Sequence, residues 1–389
     1  METLGAILGI ILYNCDMKYV KPSSLLYPVQ TLKTIRDNFV EEIRESLKGK
    51  KTSLAFIKNP LPQPKKIGLG DIIQVVSIGG TIGETAAVDR SQGTVILSHM
   101  KKVSLPRFND KKTFFTFFEK QLDRKTNTVG LNFAYALKPF VREGHLDGIL
   151  VETSKEHKLS NLIGRALGEE LEKYIYQKHK RIIKVTCAND TICLLLSCLE
   201  QDNYLSLACG IVGTGTNFAF FLDKTIMVNL ESGNFAKFPQ TETGKIIDNK
   251  SQSPRSFLFE KEVSGAYLFQ HFNLSIDKIS RPISSTLELS NLAKKKEGFK
   301  CLIAQKLLER SASLIACQIA GIYFFKKQPR LRFVMEGSLF WKGWKYKKII
   351  QQYLGILNVP KNAITFLKIK NSALLGAARL LIAESLIQN

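Results

Sequence analysis

The sequence contains little that would place the protein in a membrane. No apolar run reaches the roughly 18 residues that a membrane-spanning helix requires. The strongest candidate, residues 4–13, is interrupted by glycines and follows Glu2 rather than a basic segment, so it is a poor match to a signal peptide. We interpret it as an N-terminal helix or strand packed on the body of the protein. Without an export signal, the expected location is the cytoplasm.

A disulfide framework and a histidine or cysteine metal site are also missing. The seven cysteines are an odd number and include no Cys-x-x-Cys pair, and the five histidines show no metal-ligand spacing. Four cysteines in apolar sequence are predicted to be buried, reduced thiols: Cys187, Cys193, Cys198 and Cys209. Such thiols suit a reducing compartment.

Acidic residues are scarce. The chain has 34 of them against 56 lysines and arginines, which gives a formal net charge of +22. This charge is compatible with a nucleic-acid partner. The basic residues are spread along the chain, however, and neither a zinc-finger spacing nor an RNA-binding aromatic motif accompanies them. We therefore favour a solvated, lysine-rich surface without a specific nucleic-acid partner, and keep a basic nucleic-acid-binding protein as an alternative.

The bulk composition predicts a globular protein with two domains. A length of 389 residues is long for one ordinary domain and sufficient for two that each bury a core. Hydrophobic residues make up 44% and charged residues 23%, as in ordinary soluble proteins. Residues 31–48 have the apolar spacing of an amphipathic helix. The proline-rich stretch 59–64 then predicts a linker or crossing point between the domains.

One pattern of strands and a glycine turn occurs twice, about 130 residues apart. In the first copy, a buried strand over 72–78 leads into Gly79-Gly80-Thr81, and strand-like runs follow at 94–98 and 102–105. In the second copy, the strand covers 205–212, the turn is Gly213-Thr214-Gly215-Thr216, and strands follow at 218–222 and 225–230. The repeat predicts a duplicated α/β unit with a cleft between the two glycine turns.

The C-terminal half is predicted to be mainly helical. Helical periodicity covers 305–320 and 347–354, and residues 373–386 form a strongly apolar final helix. One more strand is predicted over 332–335, directly before Glu336-Gly337-Ser338.

The glycine turns are candidates for binding phosphate. A glycine turn after a buried strand brings backbone N–H groups close to phosphate oxygens, and threonine hydroxyls add donors. One such turn is weak evidence, and two at duplicated positions are stronger. Neither a Walker A lysine pattern nor a G-x-G-x-x-G motif is present, so phosphate would be bound in a different way.

Between the turns lies Asn189-Asp190-Thr191, after a strand predicted over 182–187. A carboxylate at a strand end can act as general base on a hydroxyl that attacks phosphorus. All three residue types also cap helices well, so a structural cap is the alternative. Asn217, Glu231 and Glu260 are further polar residues in apolar surroundings. Amides and carboxylates of this kind bind sugar hydroxyls, with surface loop positions as the alternative.

An ordered set of segments resembles the hexokinase/glucokinase family, in the superfamily of sugar kinases and actin. The resemblance runs from about residue 30 to the C-terminus. The segments that carry it are Val75–Thr81 (VVSIGGT), Leu131–Pro139 with Gly148–Lys155 (GILVETSK), Ala188–Thr191 (ANDT), Gly210–Asn217 (GIVGTGTN), Val228–Phe235 (VNLESGNF), Phe259–Leu268 (FEKEVSGAYL), Glu309–Ala312 (ERSA) and Phe333–Phe340 (FVMEGSLF). Phe259–Leu268 is the most specific of these matches.

The resemblance implies a two-lobed actin-like, ribonuclease H-like ATPase fold. The small lobe would comprise 65–189 plus 373–389, and the large lobe 1–64 plus 190–372. The implied activity is ATP-dependent phosphorylation of a hexose, glucose above all, at the 6-hydroxyl, as in the first step of glycolysis. Mg²⁺ would arrive with ATP, bound mostly through phosphates and water and not directly by the protein.

The resemblance also implies a role for each matching residue. Asp190 would be the general base, and Lys155 would help to hold the reacting phosphoryl group. The sugar hydroxyls would be bound by Ser154, Lys155, Asn189, Asp190, Asn217, Glu231 and Glu260. The ATP-binding residues would be Gly79, Gly80, Thr81, Gly213, Thr214, Gly215, Thr216, Gly337 and Ser338.

Several positions depart from the family pattern, mainly on the nucleotide side. Ser77 stands where the family has an aspartate that positions the metal through water, and Ile82 and Glu84 replace an asparagine and an arginine. Ala136 replaces a sugar-binding serine, and Ser372–Gly376 replaces a Gly-Ser-Gly pattern one residue out of step. These departures motivate a second alternative, a hexokinase-like protein that binds sugar but phosphorylates it slowly or not at all. The oligomeric state is left open.

Overall fold

The computed structural model describes residues 22–61, 72–79, 82–89, 95–152, 158–199, 204–276 and 281–382. Its strands are β1 Ile57–Pro60, β2 Ile73–Ile78, β3 Ile82–Asp89, β4 Ile96–Ser104, β5 Thr128–Phe133, β6 Leu137–Arg142, β7 His145–Leu150, β8 Lys184–Asn189, β9 Leu207–Val212, β10 Thr216–Phe221, β11 Ile226–Asn229, β12 Leu331–Glu336 and β13 Ile364–Leu367. Its α-helices are α1 Val29–Leu47, α2 Lys111–Gln121, α3 Leu167–His179, α4 Asp190–Leu196, α5 Glu242–Lys250, α6 Leu258–Val263, α7 Leu268–Leu274, α8 Thr286–Ala293, α9 Phe299–Lys326, α10 Ser338–Lys342, α11 Tyr346–Ile356 and α12 Ser372–Ile382.

Two mixed sheets repeat one topology. The five-stranded sheet has the order β4-β3-β2-β5-β8, with β2, β3 and β4 antiparallel and with β5 and β8 parallel to β2. The six-stranded sheet runs β11-β10-β9-β12-β13 with the same directions, and β1 extends it at the β11 edge. The same order and directions in both sheets confirm the predicted duplicated α/β unit. A separate hairpin pairs β6 with β7.

The first copy of the repeat differs from the predicted strands. The strand β3, over Ile82–Asp89, was not predicted, because it contains small residues with weak strand preference, Gly83 and Ala86 among them. The predicted strands over 94–98 and 102–105 are one strand, β4. The pairing of β4 with β3 shifts register near His99, whose φ of 49° is left-handed. This bulge interrupts the alternation of side chains along β4, and for this reason the sequence pattern predicted two strands.

The proline-rich stretch 59–64 was predicted to be a linker or crossing point between the domains, and its first two residues belong to a strand instead. Asn59 and Pro60 end strand β1, which pairs with β11 at the edge of the six-stranded sheet. A proline is tolerated there because an edge strand leaves N–H groups unpaired on one side. Residues 62–64 lie outside the described residues, as does the apolar segment 4–13.

Helices α4 and α12 pack against each other closely. A Cβ on Gly376 of α12 would overlap the carbonyl oxygen of Cys193 in α4, and a Cβ on Gly130 of β5 would overlap that of Ala377 in α12. Glycine is therefore required at both positions, because any side chain would push the backbones apart. These contacts set α12 on the five-stranded sheet and set α4, which begins with Asp190, beside it.

The larger hydrophobic core is built around α9. This helix of 28 residues is buried along most of its length, and α1 packs on it through a stripe that includes Leu32, Ile35, Phe39 and Ile43. The predicted helix over 31–48 is confirmed by α1. The four cysteines predicted to be buried, reduced thiols, Cys187, Cys193, Cys198 and Cys209, are buried and free. In the described ranges, no helix is long and apolar enough to cross a bilayer.

Candidate active site

Asp190 lies where the two sheets approach each other. It is the first residue of α4, directly after β8 of the five-stranded sheet, and α4 packs under β9 of the six-stranded sheet. The helix cap is Asn189, whose side-chain oxygen accepts a hydrogen bond from the Thr191 N–H at 3.0 Å. The capping function is therefore performed by Asn189, and the half-buried Asp190 carboxylate is left available for another role.

A network of amides surrounds this helix start. The Asn217 Nδ2 donates to Thr191 Oγ1 at 3.0 Å and to Asn229 Oδ1 at 2.8 Å. The Asn229 Nδ2 donates in turn to Glu231 Oε1 at 2.7 Å and to Asn189 Oδ1 at 3.4 Å. The predicted sugar-binding residues Asn189, Asn217 and Glu231 thus belong to one hydrogen-bonded group.

Asn229 joins that group and was missed in the sequence. It is only 2% exposed, at the end of strand β11. A buried amide needs hydrogen-bond partners, and here it links the residues that flank it in space. The only local signal was that Asn229 interrupts the apolar run Met227–Leu230. A single asparagine in such a run indicates the end of a strand as readily as a ligand-binding residue.

The protonation of Asp190 is shifted strongly. Burial, with the nearby Glu231 carboxylate, raises its pKa from 3.8 to about 7, although hydrogen bonds from Thr191 act in the opposite direction. A carboxylate with a pKa near neutral pH is a stronger base than an ordinary one and still largely ionised above pH 7. This is the range in which a general base is effective.

Two further carboxylates face the same region. Burial raises the pKa of Glu231, and the charges of Glu260 and Glu152 add to the increase, whereas the Asn229 amide lowers it. Burial also raises the pKa of Glu260, opposed by the hydrogen bond that its Oε2 accepts from the Thr216 N–H at 2.9 Å. Together with the amides, these groups offer several acceptors and donors in a small space, as a polyhydroxy ligand requires.

The second glycine turn, Gly213–Thr216, joins β9 to β10 next to Glu260. A Cβ on Gly215 would lie 2.7 Å from Glu260 Oε2, so glycine lets the carboxylate approach the turn. Both donors of Thr216 are used within the protein, since its N–H binds Glu260 and its hydroxyl donates to the Ile211 carbonyl at 3.3 Å. Thr214 is the exposed residue of the turn.

Gly337 packs directly on this turn. Its φ is +107°, a conformation that favours glycine, and a Cβ there would overlap the carbonyl of Val212. A Cβ on Gly213 would lie 3.2 Å from the Gly337 Cα. Ser338, which begins α10, is exposed. The predicted ATP-binding residues of 213–216 and 337–338 therefore meet at one end of the parallel strands β9 and β12.

Both tryptophans of the chain lie on this side of the molecule. Trp341 is on α10, and its Nε1 donates to the Met335 carbonyl at 2.8 Å. The Nζ atoms of Lys347 and Lys368 lie 5.0 and 5.7 Å from the centre of its ring. Trp344 has its own cation partner, as the Lys345 Nζ lies 5.0 Å from its ring.

The first glycine turn is less acidic at its base than the family pattern. Ser77 is buried, and its hydroxyl accepts a hydrogen bond from Asn132 Nδ2 at 2.9 Å. Glu84 forms an ion pair with Lys102 at 2.8 Å, which offsets its negative charge. Gly79 donates its N–H to the Ile82 carbonyl at 3.1 Å. Within the described ranges, no group of three or more His, Cys, Asp or Glu side chains is arranged to hold a metal ion.

Four predicted site residues fall outside the described ranges: Gly80, Thr81, Ser154 and Lys155. The strand that leads towards the last two is β7, and the Val151 N–H donates to the Ala136 carbonyl at 3.0 Å. Ala136 thus contributes backbone pairing where the family pattern has a serine side chain.

Comparison with known sequences gives one consistent result. Two profiles, each described as hexokinase, match residues 22–199 and residues 208–295 with 270–383. Hexokinase-5 of Oryza sativa subsp. japonica is 24% identical over an alignment of 283 positions, and the match covers 63% of this chain and 55% of that protein. The matches cover between about a third and about a half of the length of the curated relatives.

Solved structures agree at the level of the fold. The structure of a hexokinase from Schistosoma mansoni complexed with glucose has a TM-score of 0.73 and 19% identity, and the match covers 93% of this chain and 97% of that one. A ROK-family glucokinase from Streptomyces griseus, in complex with glucose and AMPPNP, has a TM-score of 0.54 and 16% identity, with 79% and 98% covered. These similarities show the two-lobed actin-like fold.

Proposed function

The chain belongs to the hexokinase family, and we propose that it transfers the γ-phosphoryl group of ATP to the 6-hydroxyl of a hexose, with glucose as the preferred acceptor. One observation carries the proposal: Asp190, with a pKa raised to about 7, lies beside the amide and carboxylate network of Asn189, Asn217 and Glu231. The relative whose structure is complexed with glucose supports the choice of hexose.

In the proposed reaction, Asp190 accepts the proton of the attacking hydroxyl. The sugar oxygen forms a bond to the γ-phosphorus as the bond from that phosphorus to the ADP oxygen breaks. ADP leaves with the electron pair of that bond, and the proton remains on Asp190 until solvent removes it. Most of the acceleration would come from positioning and from stabilisation of charge, as in other phosphoryl transfers. The 6-hydroxyl is the reactive group because it is the primary alcohol of the hexose.

Sugar specificity would come from the buried polar group. Asn189, Asn217, Glu231 and Glu260 would each bind hydroxyls, and Ser154 and Lys155 would complete the set. Asn229 would act behind them, because its amide fixes the Glu231 and Asn217 side chains. A sugar that lacks one hydroxyl leaves a buried partner unpaired, which costs about 1–3 kcal/mol.

ATP would bind across the two glycine turns. Gly213, Gly215 and Gly337 pack closely at the second turn, whose exposed residue is Thr214. The turn would face phosphate oxygens there, and Ser338 would lie near the adenosine. Lys155 would help to hold the transferred group. Mg²⁺ would come with the nucleotide and neutralise phosphate charge, held through phosphate oxygens and water.

The two lobes would close on the sugar. We keep the boundaries of the small lobe at 65–189 plus 373–389, with the remainder as the large lobe. Closure would exclude water from the γ-phosphate and so limit hydrolysis of ATP. In a cell, this phosphorylation would be the first step of glycolysis and would take place in the cytoplasm.

A coupled assay for ADP release tests the proposal directly. Glucose, mannose and fructose are each given with Mg-ATP, and Asp190→Ala serves as the control. We expect glucose-dependent turnover that disappears in the variant. An absence of turnover with any of the three sugars, in a folded protein, would contradict the proposal.

The second candidate function is a sugar-binding relative with weakened phosphoryl transfer. It is favoured by the first glycine turn, where Ser77 and Asn132 form a neutral pair and Glu84 is paired with Lys102. Under this alternative, glucose raises the melting temperature but Mg-ATP does not. If the chain is the proposed kinase, glucose and Mg-ATP should each raise the melting temperature.

A further inference from the structure

One short stretch of chain contacts both halves of the site. We call residues 258–266, which comprise α6 and the three residues after it, the α6 segment. Glu260 in this segment accepts the Thr216 N–H at 2.9 Å. Further along it, Gly265 donates its N–H to the Gly213 carbonyl at 2.7 Å, and Ala266 donates to that of Thr214 at 3.1 Å. The segment thus presents a sugar-binding candidate and fixes the second glycine turn.

The α6 segment has little stability of its own. The helix has six residues, and no side chain caps its start. Phe257, immediately before it, has a left-handed φ of 52°. Helices this short are unstable in isolation, because the first turn costs more entropy than its few hydrogen bonds return. The position of Glu260 must therefore be fixed by contacts from elsewhere.

Lys261 supplies the strongest of these contacts. Its side chain is 1% exposed, and its Nζ donates to Asp248 Oδ1 at 2.5 Å, to Ser251 Oγ at 2.9 Å and to the Ser253 carbonyl at 2.7 Å. All three ammonium hydrogens therefore have partners. Asp248, at the end of α5, also accepts the Arg255 N–H. The buried ion pair ties the α6 segment to α5 and to the turn over 251–255.

Glu262 fixes the next residue of the helix. It is fully buried and accepts hydrogen bonds from the Thr241 N–H at 2.8 Å and hydroxyl at 2.9 Å. Arg310 of the long helix α9 lies 3.3 Å from it. Glu262 thus sets the depth of the segment against the large core, whereas Lys261 sets its position along α5.

We propose that Lys261, through its ion pair with Asp248, is a positioning residue that keeps Glu260 and the second glycine turn in one fixed arrangement, and so links hexose binding to nucleotide binding. The identity of the two ligands rests on the proposed function. The mechanical link does not rest on the proposed function, because it consists of the three hydrogen bonds between the α6 segment and the second glycine turn.

Hydrogen exchange tests the link without any ligand. In Lys261→Met, we expect the amides of Thr216, Gly265 and Ala266 to exchange about tenfold faster, in the middle of the range for residues that couple two sites. Lys261→Arg retains the cation and should recover much of the protection. The control is Ile35→Ala on α1, which removes core packing away from the site. Each variant is measured equally far below its own melting temperature.

Titration calorimetry then measures the two ligands separately and together. Lys261→Met should weaken glucose binding about tenfold and abolish most of the increase in Mg-ATP affinity that glucose produces. Ile35→Ala should change neither, since its contacts lie in the α1–α9 core. Asp190→Asn, which blocks turnover during the titration, is used as the background for all of these variants.

Specific outcomes would overturn the link. Equal exchange rates at the three amides in Lys261→Met and Ile35→Ala would show that the ion pair only stabilises the fold. Unchanged glucose affinity in a folded Lys261→Met would show the same. If Lys261→Met does not fold, Ser251→Ala decides, because it removes one of the three acceptors and leaves the charges paired. If the parent protein binds no glucose, the proposed function fails and the exchange data still decide the link.

Discussion

The carboxylate of Asp190 is both the proposed general base and a buried charge that destabilises the folded protein. Asp190 begins a buried helix beside Glu231, and both burial and that charge favour its protonated form. The helix start favours the ionised form, because the dipole and the Thr191 hydrogen bonds stabilise negative charge. The result is a pKa of about 7, between these opposing effects. The raised pKa that makes Asp190 a stronger base therefore has a cost, because burial and the Glu231 charge both disfavour its ionised form.

Replacement of the base separates catalysis from binding. We expect Asp190→Ala to lower kcat by about a thousandfold or more, the upper range for loss of a general base together with its positioning. Glucose affinity should stay within a few-fold, because Asn189, Asn217 and Glu231 remain. Steady-state kinetics and calorimetry give the two quantities. Joint loss of sugar binding and of folding would instead assign Asp190 a structural role.

The same group sets a pH dependence. Because the base must be ionised, log kcat at saturating glucose should rise with unit slope below pH about 7 and level off above it. A profile that is flat from pH 5.5 to 8.5, with chemistry shown to be rate-limiting, would contradict the assignment. Glu231 and Glu260, whose pKa values are also raised, would shift KM but not the plateau of kcat.

Stability should respond to pH in the opposite sense. The folded pKa of Asp190 is raised above its unfolded value, so the folded state binds the proton more tightly. Its favourable contribution is present at low pH and is lost as the pH rises from about 4 through about 7. Asp190→Asn, which carries no charge, should therefore melt higher than the parent at pH 8, and the difference should shrink towards pH 5. Thermal denaturation at both pH values checks this.

Among the elements, α12 and α4 are in very close contact. Gly376→Ala would force a methyl group into the Cys193 carbonyl, at the helix that begins with Asp190. We expect a loss of about 2–3 kcal/mol in unfolding free energy, as for other overpacked sites, with reduced turnover.

A matched control is available in α11. Gly355 is helical and exposed, and a Cβ there would meet nothing within 4 Å. Gly355→Ala should stabilise the protein by about 0.5–1 kcal/mol, because alanine is the better helix former. Similar effects of the two substitutions in denaturant titrations would show that the helix contact is looser than described.

The elements were predictable where burial was uniform. All six residues of β2 are buried, and its apolar run predicted the strand closely. Strand β3 was missed because it contains small residues with weak strand preference. Strand β4 was predicted as two strands because a bulge interrupts it, and only its pairing with β3 reveals that bulge. The grouping of Asn189, Glu231 and Glu260 came from the family resemblance, since residues so far apart meet only after the sheets pair. Asn229, which connects Asn189, Asn217 and Glu231, carried no local signal distinct from a strand end.

The whole molecule carries far more positive than negative charge. Most of its described ion pairs lie at least partly exposed, and such pairs contribute little to stability. The excess charge should affect association with polyanions. On random DNA and RNA, filter retention should be weak at physiological salt, independent of sequence, and steeply reduced as salt increases. Tight, sequence-dependent retention at physiological salt would revive a nucleic-acid function.

The position of the two tryptophans has an optical consequence. Trp341 and Trp344 are the whole tryptophan complement of the chain, and both lie by α10 on the side that we assign to adenosine. Tryptophan emission therefore reports on one end of one lobe and on nothing else. Nucleotide should change the emission by direct contact with its surroundings. A change in emission on adding glucose alone would mean that sugar binding alters the structure around α10. Tryptophan fluorescence could then be used to measure coupling between the two ligands.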